Sequence, residues 1–122
     1  MKQVGVIVLL SMAISGALVL GWRSTVRADG DGPLAEWMES NVQAAVEAGD
    51  LPRLATALEK AATFAPDPTW NQGDTSWEKL AKDGAAKAKA GDLAGARASC
   101  KSCHTAWRKK YKAQFRDRAL PR

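Results

Sequence analysis

The chain is 122 residues long with a formal net charge of +5, a length that allows one domain. Its two cysteines and single histidine leave an ordinary zinc site, which takes four protein ligands, without a fourth Cys or His. The first segment, residues 4–22 (VGVIVLLSMAISGALVLGW), carries no charge and follows Lys2. A secretory signal has an apolar region of about 7–15 residues and a bilayer span needs about 20, so both readings stand. Val26-Arg27-Ala28 offers small residues at the two positions that a signal peptidase reads, which favours cleavage after Ala28 over an uncleaved anchor. Either way residues 1–28 are expected to be an export segment. Residues 29–122 form the folded domain, expected in the periplasm.

Without residues 1–28, and so without Lys2, Arg23 and Arg27, fifteen basic and thirteen acidic residues remain. They are unevenly placed. Residues 29–96 hold six basic and twelve acidic side chains, whereas residues 97–122 hold nine basic ones against Asp117 alone. Such a field orients the approach of an acidic partner. It also reads as a solvated helix end whose cations complement the dipole.

Beyond the export segment the apolar pattern is helical throughout, with no run of period two. The first helix is expected from Pro33, a favoured first-turn residue, to about Ala48, with Leu34, Trp37, Met38, Asn41, Ala45 and Ala48 along one face. Gly49-Asp50 supplies a terminating glycine and the next N-cap. The second helix, Leu51 to Ala65, is stopped by Pro66 and Pro68. Residues 66–75 form the one long connection. The third starts near Ser76 and ends at Gly91-Asp92, a repeat of the first device. The fourth runs from Leu93 to about Arg118, with Leu93, Ala96, Cys100, Cys103, Trp107, Tyr111 and Phe115 in its stripe. Short loops imply antiparallel neighbours, so the expected fold is all-α, an up-down-up-down four-helix bundle. Few large side chains in a domain this small predict marginal stability without a cofactor.

Cys100-Lys101-Ser102-Cys103-His104 uses every cysteine and histidine in the chain. C-x-x-C-H is the attachment motif of a c-type haem. Two thiols three residues apart lie on one side of a helical turn, where they can add across two porphyrin vinyl groups. His104 then points at the iron as its proximal ligand. A redox dithiol belongs beside a βαβ pattern, which is absent here, and a simple disulfide leaves the adjacent histidine unexplained. Export and haem attachment agree, because c-type haem is attached outside the bacterial cytoplasm.

Met38 is the only methionine of residues 29–122. It lies about ten residues from the Gly49-Asp50 loop, roughly 15 Å, and His104 lies about twelve from Gly91-Asp92, roughly 18 Å. The two side chains are therefore expected at similar height on neighbouring helices, with Met38 as the distal iron ligand. The competing readings are a methionine that fills core space and a five-coordinate iron with an apolar distal pocket of Trp37 and Met38. Arg108, one turn after His104, reads as a partner of a haem propionate or as a solvated arginine. Lys101 and Lys109 are expected in solvent, and Trp77 and Trp107 in the core. Trp70 is expected either over the haem edge or on the bundle end.

CKSCHTAWRKKY (Cys100–Tyr111), with its haem motif in the last helix and an aromatic-Arg pair, resembles the class II c-type cytochromes, the cytochrome c prime family. LAEWMESNVQAAVEAGD (Leu34–Asp50) is similar to the first helix of their His/Met low-spin branch. The likeness covers residues 33–118. It implies one covalent haem c with its iron, methionine ligation at Met38, and electron transfer in six-coordinate members or gas binding in five-coordinate ones. The fourth helix is longer than the first, and its basic end with Tyr111 and Phe115 has no partner in the sequence. The chain has no paired catalytic carboxylates and no nucleophile–base pair, so an electron carrier is expected rather than an enzyme. Expected partners are redox proteins, with acidic ones docking on the basic end, and no nucleic acid. A haem subunit tethered to a larger complex through residues 4–22 is a further reading.

Overall fold

The computed structural model describes residues 32–122, and the export segment with its cleavage position after Ala28 lies outside them. The described residues form four helices and no strand. None of the helices is long and apolar enough to cross a membrane. The first occupies residues 32–48 as α-helix Gly32–Met38, a π turn Glu39–Gln43 and α-helix Ala44–Ala48. The second is Leu51–Ala61, continued by a 3-10 turn Ala62–Phe64. The third is Trp77–Lys89. The fourth fills residues 93–115 as Leu93–Cys103, a π turn His104–Arg108 and Lys109–Phe115.

The two tight hairpins are built alike. Gly49 and Gly91 take φ of +64° and +79°, the left-handed conformation that reverses the chain after a helix. Asp50 N–H then donates to the Ala45 carbonyl at 3.0 Å, and Asp92 N–H to that of Lys87 at 2.9 Å. The same aspartates cap the second and fourth helices, accepting from Arg53 N–H at 3.1 Å and Gly95 N–H at 2.8 Å. Both hairpins therefore lie at one end of an antiparallel bundle. The connection at 66–75 and both ends of the described chain lie at the other.

The core has two compositions. Towards the hairpins it is small and aliphatic, with Ala45, Leu54, Ala55, Leu58, Ala85, Ala88 and Ala96 buried together. Gly84 lets the third helix approach two neighbours. A Cβ built there would sit 3.1 Å from Leu58 Cδ1 and 3.3 Å from Ser99 Cβ. Gly84→Val is therefore expected to lower stability by about 1–3 kcal/mol through overpacking, read as a shifted urea midpoint. An unchanged midpoint would show that the helices separate freely.

The opposite end is aromatic: Leu34, Ala61, Phe64, Trp70, Trp77 and Tyr111 are buried in one cluster, with Trp37, Met38, Trp107 and Phe115 against it. Trp77 is in the core as expected, its indole N–H donating to the Ala61 carbonyl at 2.8 Å. Trp107 is only partly buried. The long connection is not a plain loop. Pro68–Asn71 makes a 3-10 turn capped by Asp67, and its Trp70 is 3% exposed on the bundle end.

That placement corrects the expectation of an unpartnered overhang on the fourth helix. Trp70 stacks on Trp107 at 4.6 Å between ring centroids and meets Phe115 edge-on at 5.6 Å, so the end is roofed. The helix also stops at Phe115 rather than Arg118. The chain turns there, and the Arg118 guanidinium donates to the Phe64 carbonyl at 2.9 Å. Ala48, expected on the buried face of the first helix, is exposed in its last turn.

Candidate functional site

The first and fourth helices converge where one begins and the other ends, with the Gly32 backbone against the Arg116 carbonyl. Below that point they leave a cavity of about 1370 Å³. This exceeds the roughly 300–1,000 Å³ of ordinary small-ligand pockets. Met38 lines it from the first helix, and Cys100, Cys103, His104 and Arg108 from the fourth. Leu80 and Gly84 form part of its floor. All five residues singled out in the sequence thus face one space. Lys101 and Lys109 are exposed as expected, although Lys101 also edges the cavity. Trp107 lines the cavity, whereas Trp70 packs behind it on the bundle end and does not.

Helical spacing explains the cysteine arrangement. Residues 100, 103 and 104 span about 100° of arc in an α-helix, so all three project towards the cavity side. Both thiols are free and half-buried. Burial raises the pKa of Cys100, and burial together with the neighbouring Cys100 pushes that of Cys103 to about 11. Reactive dithiols show the opposite shift. The cavity walls, and then the charge on Arg108, lower the pKa of His104. Its imidazole is neutral at pH 7 with a lone pair available to a metal. Among the described residues no three His, Cys, Asp or Glu side chains are grouped to hold a bare ion.

A π turn interrupts both the first and the fourth helix where they border the cavity, one opening at His104 and the other directly after Met38. Such turns free a carbonyl from the backbone ladder and recur at functional sites. Side chains answer here. Asn41 Nδ2 donates to the Trp37 carbonyl at 2.8 Å and Arg53 Nη2 to that of Ser40 at 2.9 Å. On the fourth helix Thr105 Oγ1 donates to the Lys101 carbonyl at 2.9 Å. Periodicity does not reveal these turns, because a spacing of four serves α and π alike. Opposite charges border the cavity, with Glu36 and Glu47 on the first helix and Arg97 and Lys101 on the fourth.

Sequence reasoning overlooked Tyr111, taken only as an aromatic of the stripe. It is 4% exposed and borders the cavity with its ring, and among the described residues its buried hydroxyl has no hydrogen-bond partner. A haem suits this donor set. Two thiols and an imidazole stand on one helix, and a thioether borders the same space from another.

Comparison of the chain with protein-family models, with curated proteins and with solved structures finds no match.

Proposed function

We propose that this chain is an exported monohaem c-type cytochrome that carries single electrons between redox partners, a member of the His/Met branch of the class II fold. What supports the reading is one observation: Cys100, Cys103 and His104 share a cavity with Met38, the only other soft ligand of residues 29–122. When bound, haem supplies a one-electron iron couple. Cys100 and Cys103 hold its edge through thioether bonds, His104 offers neutral nitrogen to the iron, and Met38 offers sulfur from the facing helix. Arg108 is within the same cavity to meet a propionate. The alanine and leucine floor excludes water from the ring.

Electrostatics give the carrier a direction. Lys101, Lys109, Lys110 and Arg116 are exposed on the fourth helix and its end, a face suited to an acidic redox partner. Increasing salt should slow that encounter.

Covalent attachment is the feature that decides the reading. Protein made in a host that attaches haem c is expected to keep its haem absorbance on the polypeptide through acid–acetone extraction. The Cys100→Ala/Cys103→Ala variant should release all of it. Complete extraction of haem from the wild-type chain would falsify the assignment.

A further inference from the structure

We propose that Arg53 is a positioning residue for the distal iron ligand: from the second helix it holds the π turn that presents Met38 to the cavity. The inference rests on the ligation by Met38 read above. It extends that reading to a side chain outside the cavity lining.

The π turn Glu39–Gln43 begins directly after Met38. At its end Ala44 N–H donates to the Glu39 carbonyl rather than to that of Ser40, its α-helical partner. The Ser40 carbonyl is released from that bond, and Arg53 Nη2 donates to it at 2.9 Å. In a plain α-helix Ala44 N–H would satisfy Ser40 and the guanidinium would add little. Arg53 therefore favours the π form over the α form. Asn41 Nδ2 adds a bond upstream, donating to the Trp37 carbonyl at 2.8 Å.

The turn matters to Met38 because packing fixes the helix on both sides of it. Upstream, Leu34 is buried and Trp37 meets Phe64 edge-on at 4.8 Å. Downstream, Ala45 is fully buried in the aliphatic core. A return to α-helix between them moves one side against the other by the arc of one residue, and turns the thioether from its place in the cavity. Arg53 restrains this from the surface, where its side chain is exposed. Its backbone N–H is held separately by Asp50 Oδ1 at 3.1 Å, so replacing the side chain leaves the cap of the second helix intact.

Imidazole tests the proposal, because it takes the sixth position of ferric iron only when the thioether has left. In haem-loaded protein, Arg53→Leu is expected to bind imidazole about two- to tenfold more tightly than wild type, the weight of one hydrogen bond on the detached population. In a Met38→Ala background the same substitution should leave imidazole affinity unchanged, since no thioether remains to be positioned. Equal affinity in Arg53→Leu and wild type overturns the proposal. So does equal tightening in both backgrounds, which assigns the effect to lost charge or general loosening. In either case a near-infrared sulfur-to-iron band in the wild type keeps the ligation reading. A wild type without that band, binding imidazole as tightly as Met38→Ala, overturns both.

Discussion

Met38→Ala is expected to turn a closed, low-spin site into an open one. Thioether sulfur stabilises ferrous iron, so the oxidised wild-type protein should show a weak near-infrared sulfur-to-iron band, and the variant should lack it. Reduction potential should fall in the variant. Carbon monoxide should bind the reduced wild type slowly, because a ligand must leave first, and the variant quickly. Met38 is half-buried against the aromatic cluster. The packing loss should therefore sit at the low end of the range for methionine, about 2 kcal/mol, plus the iron–sulfur bond. If the wild type is already high-spin and takes up carbon monoxide as fast as the variant, Met38 is not a ligand. The gas-binding reading of the same cavity then replaces the electron carrier.

Trp70→Ala should do the reverse, leaving the haem spectrum nearly intact while removing much of the stability. Trp70 touches Trp77, Trp107, Tyr111 and Phe115, and Lys110 Nζ lies 4.8 Å from its ring. Deleting a buried indole costs about 3–5 kcal/mol when the walls do not collapse. A domain of this size holds about 5–15 kcal/mol in total. The expected result in the haem-loaded protein is a large drop in denaturation midpoint with an unchanged Soret position, since Trp70 does not line the cavity. A shifted Soret band with normal stability would mean that Trp70 acts on the haem rather than on the bundle end.

The helices were legible because their boundaries are chemical. Gly49-Asp50 and Gly91-Asp92 combine a left-handed glycine with a capping carboxylate, and each falls within a residue of the expected turn. The shared cavity of Met38 and His104 was legible because rise per residue and loop position fix height along a bundle. Trp70 was ambiguous because a tryptophan between Pro68 and Gly73 has no periodic neighbours to assign its face. The orphaned hydroxyl of Tyr111 was invisible, because stripe analysis treats tyrosine as an aromatic body and does not ask where its oxygen goes. The early end of the fourth helix depends on Arg118 reaching Phe64, a contact 54 residues apart in sequence.

The π turn at His104–Arg108 also sets the phase of the fourth helix. Relative to an unbroken α-helix, it absorbs one residue and offsets the downstream segment by about 100°. The fourth helix is thus two rods in series with a fixed offset in phase. The segment through Cys103 faces the cavity, and Lys109–Phe115 turns its aromatic side chains to Trp70. A chain one residue shorter between His104 and Lys109 would straighten into plain α-helix with both faces kept. A one-residue deletion is therefore expected to be accommodated at this joint better than elsewhere in the helix, where it would rotate one face away from its neighbours.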